Sequence, residues 1–89
     1  MRIKLSNYGE MLISRPAGRE AFLSAQAYLL SDVKDNETIE VDFDGVDVLA
    51  PSWADEFITS LKEKYGDRVK LLKSDNPSVI ASLKFSGPV

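Results

Sequence analysis

Along the chain, apolar residues alternate with polar ones, recur every three or four positions, and then alternate again. This rhythm divides the sequence into β-β-α-β-α-β-α. Arg2-Ile3-Lys4-Leu5 places Ile3 and Leu5 on one face, the period-two pattern of a half-buried strand. Asn7-Tyr8-Gly9 supplies turn residues and Glu10-Met11-Leu12-Ile13 resumes an apolar run, so the pattern predicts a short hairpin between the two pieces. Ser14 with Pro16 two positions on is a helix start. From there Ala17, Ala21, Phe22, Ala25, Tyr28 and Leu29 form one apolar stripe that ends near Ser31-Asp32.

The second half repeats the rhythm. Thr38-Ile39-Glu40-Val41-Asp42-Phe43 alternates strictly, so Ile39, Val41 and Phe43 share a buried face. Asp44-Gly45 marks the strand end, and Val46, Val48 and Leu49 keep the following connection packed. Ser52-Trp53-Ala54-Asp55 has capping-box spacing, with Asp in place of Glu or Gln. Ala54, Phe57, Ile58, Leu61 and Tyr65 make the second helical stripe, closed by Gly66. Arg68 to Lys73 predicts a strand, and Asn76 caps a final helix from Pro77 to the stop at Ser86-Gly87-Pro88. The strand–helix–strand unit from Thr38 to Lys73 requires a parallel pair. The expected fold is one α/β domain over residues 1–89 with a four-stranded mixed sheet and three helices.

Composition narrows the chemistry. The chain has 89 residues and no Cys or His, which removes thiol catalysis, imidazole acid–base work, zinc fingers and disulfides; no metal site and no cofactor are expected. A net charge of -3 argues against nucleic acid and against a polybasic membrane surface. The apolar runs are short for a membrane span or a signal peptide, and a cytoplasmic location is expected. The charge is unevenly placed. Seven of the fourteen carboxylates lie between Glu37 and Glu56, and no Lys or Arg occurs between Lys34 and Lys62.

Asp42-Phe43-Asp44-Gly45 after an apolar strand resembles the first motif of the haloacid-dehalogenase phosphotransferases, and Lys73-Ser74 is similar to their second. That chemistry also needs a further lysine and an acidic pair for magnesium. Beyond Asp75 the sequence holds one Lys and no Asp or Glu, so a truncated phosphotransferase is the least favoured reading. Asp42 and Asp44 then point from the exposed face of a strand end.

A second resemblance covers most of the chain. Ile39 to Val46 leading to Ser52-Trp53-Ala54-Asp55-Glu56-Phe57 resembles the STAS-like domains of unassigned function, distant relatives of the anti-sigma-factor antagonists. Gly9 with Leu12-Ile13-Ser14-Arg15, and Asn76-Pro77-Ser78-Val79-Ile80, are similar to that family's first-helix start and final helix. The resemblance implies a non-enzymatic bacterial regulatory module that binds a signalling partner, a histidine-kinase-type ATPase, through the start of the second helix. It also implies a phosphorylation candidate, Ser52, although Ala50-Pro51-Ser52-Trp53 departs from the Asp-Ser-Ser-Gly of the antagonists. Ser52 has a second reading as an N-cap worth about 1 kcal/mol. Trp53, Asp55, Glu56, Asp42 and Arg15 are the expected partner-binding residues; Trp53 is either packed on the preceding loop or an exposed anchor. The alternative function is a small-molecule or nucleotide sensor that uses the same helix start as an anion site.

Overall fold

The chain builds two small sheets rather than one. The structure is a computed structural model that describes residues 1–86. Strands β1 (Arg2–Lys4), β3 (Ile39–Asp42) and β5 (Val69–Leu71) form a three-stranded parallel sheet in the order β1-β3-β5. Strands β2 (Met11–Leu12) and β4 (Val48–Leu49) form a separate parallel pair. The expected four-stranded mixed sheet is therefore corrected, although the parallel pairing of β3 with β5 is present as expected.

The hairpin fails for a local reason. Leu5–Tyr8 winds into a 3-10 turn whose Leu5 is fully buried, and this turn carries the chain out of the first sheet. The segment after it finds its partner in Val48-Leu49, which the sequence pattern presents as a packed connection. Asp47 and Val48 both donate backbone N–H bonds to the Glu10 carbonyl, and Ala50 donates to Leu12.

Helix α1 (Arg15–Tyr28) begins where the sequence places it. Ser14 Oγ accepts the Ala17 N–H at 3.2 Å, and Pro16 lies in the first turn. Its buried face is Gly18, Ala21 and Ala25, flanked by half-buried Phe22 and Leu29; Ala17 and Tyr28 of the expected stripe are exposed. The second helical rod is α2 (Pro51–Ala54), a π turn (Asp55–Thr59) and α3 (Ser60–Tyr65), joined through residues with α-helical dihedrals. Trp53, Ala54, Phe57, Ile58 and Leu61 share the face of this rod that enters the core. Gly66 follows with a φ of 58°, the expected stop.

Helix α4 (Pro77–Ser86) packs on α2 and β4, with Val79 and Ser82 buried. Asn76 Oδ1 accepts the Ser78 and Val79 N–H groups, so its predicted cap is present. The predicted stop at Gly87-Pro88 lies outside the described residues. The core joins Ile3, Leu5, Ile39, Val41 and Phe43 from the large sheet to Trp53, Phe57, Ile58 and Leu61 from the second rod.

Candidate functional site

The chain from β4 turns directly into α2, and this corner carries most of the residues singled out by sequence. The helix cap is Ala50, not Ser52, and no side chain caps it. Pro51 takes the first helical position, where its lack of an N–H is harmless. Ser52 is the second helical residue, half-buried, so the capping reading of Ser52 is overturned.

Trp53 points inward and is 1% exposed. Its indole stacks on Phe57 with ring centres 5.0 Å apart and 13° between planes. Tyr8 and Phe22 complete the cluster against Phe57, at 5.6 and 6.0 Å. Burial pushes the Tyr8 phenol above its ordinary value. An exposed Trp53 anchor is thereby excluded; its part at this corner is to seat α2 on α1.

Arg15, Asp55 and Glu56 do come together. Arg15 Nη1 donates to Asp55 Oδ2 at 2.7 Å and to Glu56 Oε2 at 2.9 Å, clipping the start of α1 to the π turn. The bond from Arg15 holds the Asp55 carboxyl below its ordinary value, with a further bond from Thr59 Oγ1. The bonds to Asp55 and Glu56 in turn raise the Arg15 guanidinium above its ordinary value. All three side chains remain partly open to solvent. Arg19, one turn on, is exposed and has no ion pair among the described residues.

Asp42 sits elsewhere. It ends β3 and forms one wall of an open cleft of about 340 Å³ between the β3–β4 and β5–α4 loops. Asp44, Gly45, Lys73, Ser74, Asp75 and Asn76 share that cleft. The two halves of the phosphotransferase-like pattern, Asp42-x-Asp44 and Lys73-Ser74, thus face one space. Among the described residues, however, no three Asp or Glu side chains converge to hold a metal ion.

The cleft is pinned by contacts that sequence reasoning assigned only as a cap. Asn76 Nδ2 donates to the carbonyls of Val46 and Asp47, both at 2.9 Å. Ser78 Oγ donates to Asp47 O and accepts the Leu49 N–H at 3.2 Å. Asp42 Oδ1 accepts the Asp44 N–H at 2.9 Å, and Gly45 turns the chain at a φ of 86°. The signal present in the sequence was the Asn76-Pro77-Ser78 cap; its reach across to the other loop is a tertiary fact.

This is a small parallel α/β domain whose surface features are a charged helix corner and an acidic cleft. The family model for a STAS-like domain of unknown function matches residues 27–79, and the chain belongs to that family. The match runs from the last turn of α1 into the first turn of α4, so it includes Asp42 and the α2 corner but not Arg15. No curated protein and no solved structure matches the chain significantly. Among the described residues, no helix is long and apolar enough to cross a membrane.

Proposed function

We propose that this domain is a non-enzymatic regulatory module that binds a signalling protein through the α2 corner. The observation that carries the reading is the Arg15–Asp55–Glu56 cluster, partly exposed beside Ser52 on a corner made rigid by buried Trp53. A rigid, charged surface patch suits recognition, where charge complementarity sets partner choice and association rate. The family resemblance supplies the class of partner, a histidine-kinase-type ATPase.

Ser52 is the candidate control point. Its hydroxyl caps nothing, so modification there removes no structural bond. A phosphate would add negative charge beside Asp55 and Glu56 and compete with them for Arg15. The nucleotide-sensor reading is weaker. An anion at this helix start meets two carboxylates, and Pro51 offers no N–H to receive it.

The test is affinity purification with the whole chain and with Asp55→Lys/Glu56→Lys, followed by mass spectrometry. A protein carrying an ATPase of that class, recovered with the wild type and lost with the variant, supports the reading. Equal recovery by both, or recovery of no such protein, overturns it.

A further inference from the structure

We infer that α4 is a strap that closes the outer edge of β4 through its side chains and opens as one unit before the rest of the domain unfolds, releasing the start of α2. What the opening controls rests on the partner-binding reading of the α2 corner; the opening itself does not.

β4 has a strand on one side. The Val48 and Ala50 N–H groups face β2 and bond to the Glu10 and Leu12 carbonyls. On the other side no strand pairs with β4 among the described residues. Backbone groups alternate in direction along a strand, so the Leu49 N–H and C=O face this open side, where an uncovered edge would be free to pair with another chain. α4 meets them with hydroxyls. Ser78 Oγ accepts the Leu49 N–H at 3.2 Å, and Ser82 Oγ donates to the Leu49 carbonyl. The two serines are four residues apart and so lie on one face of the helix. Asn76 Nδ2 and Ser78 Oγ both donate to the Asp47 carbonyl. A ten-residue helix thus fills the hydrogen-bonding positions of a third strand.

The attachment is polar and thin. Among the described side chains of α4, Val79 is the fully buried apolar one and Leu83 is half-buried, while Ile80 is exposed. The second rod, by contrast, buries Trp53, Ala54, Phe57, Ile58 and Leu61. Ser82 lies in a buried place but uses it for a hydrogen bond. Such bonds add little net stability, because water takes up both partners once they separate. A segment with few buried apolar contacts is one that opens locally. A helix of this length does not persist when detached. Opening therefore melts α4 as a whole and frees Leu49 with it.

That release reaches the proposed partner surface. Leu49 is followed by Ala50, the cap residue of α2, and by Pro51 in its first turn. α4 also packs directly on α2. Closed, the strap fixes where α2 begins; open, it leaves the corner held from the α1 side by Gly18 and Arg15.

The test is native-state hydrogen exchange of the whole chain, read by NMR at a series of low urea concentrations. The amides of residues 80–84 and the Leu49 amide should share one opening and exchange at least tenfold faster than the β3 amides. The Ala54 amide, bonded to the Ala50 carbonyl, should quicken with them. Ser78→Ala/Ser82→Ala should speed the shared opening at least a further tenfold and leave β3 unchanged. Lys84→Gln, on the exposed side of α4, should not. Three results overturn the strap: α4 exchanging only together with β3, α4 exchanging without Leu49, or a double variant with an unchanged opening. An Ala54 amide that stays with β3 overturns its link to α2. If the opening is found but Asp55→Lys/Glu56→Lys recovers the same proteins as wild type, the partner reading fails and the strap stands.

Discussion

Gly18 lies directly against the backbone of Trp53. A Cβ placed at position 18 would stand 2.7 Å from the Trp53 carbonyl oxygen and 3.0 Å from its Cα. Neither atom belongs to a flexible side-chain end, so the contact cannot relax without moving α1 away from α2. Gly18→Ala should therefore destabilise the domain by about 1–3 kcal/mol, the range for overpacking a tight interior. Urea unfolding reads it as a lower midpoint at unchanged slope. A neutral or stabilising result, as helix propensity alone would give, would show that the two helices do not approach this closely.

The stacked pair Trp53 and Phe57 sets the second expectation. Trp53→Ala should cost about 3–5 kcal/mol, a large part of the roughly 5–15 kcal/mol available to a domain. In the native protein the single tryptophan should emit at short wavelength and resist quenching by acrylamide. Emission near that of free tryptophan would contradict its burial.

Two serines that look alike in sequence should behave differently. Ser14 caps α1 through the Ala17 N–H, so Ser14→Ala should cost about 1 kcal/mol. Ser52 caps nothing, and Ser52→Ala should stay within about 0.5 kcal/mol of wild type. Thermal or denaturant unfolding of the two variants side by side decides this. Equal losses would restore Ser52 as a cap.

The Arg15–Asp55 contact makes an acid-side prediction. Arg15 holds the Asp55 carboxyl below its ordinary value of 3.8. The folded state thus binds that proton less readily than the unfolded chain does. The contribution is present above the ordinary value and is lost as pH falls through the lower folded one. Stability curves of wild type and Arg15→Gln should differ near neutral pH and draw together as pH falls below about 4. Because all three side chains are partly exposed, the gap should also narrow in high salt. A gap that is constant across pH and salt would assign Arg15 a packing role instead.

Asn76 separates cap from latch. Asn76→Asp keeps an acceptor for the Ser78 N–H but replaces the donor facing Val46 O and Asp47 O with a carboxylate. It should therefore destabilise by about 1–3 kcal/mol, although Asp is as good a helix cap as Asn. Hydrogen exchange should quicken at Val46 and Asp47 and their neighbours. An unchanged Asn76→Asp would mean that Asn76 acts only as a cap.

Sequence pattern by itself determined the three helical segments, the strands β3 and β5 and much of their inward faces. Ile39, Val41 and Phe43 are buried as strict alternation requires, and Ser14, Gly66 and Asn76 mark helix ends because their side chains or backbone freedom act within a few residues. Tertiary structure decided which strands pair, because β2 could not show in its own composition that Val48-Leu49 would be its neighbour. It also decided the fate of the Ser52–Glu56 stretch, where Trp53 is buried against Tyr8 and Phe57, Pro51 displaces the cap to Ala50, and Arg15 arrives from 40 residues away to hold Asp55. The same holds for the cleft, since Asp44 and Asp75 belong to loops that only the parallel pairing of β3 with β5 brings face to face. Periodicity and capping are short-range steric and hydrogen-bond rules, so they are written in neighbouring residues. Sheet pairing, close helix approach and a charged cleft depend on contacts between distant residues, and only the packed chain makes them.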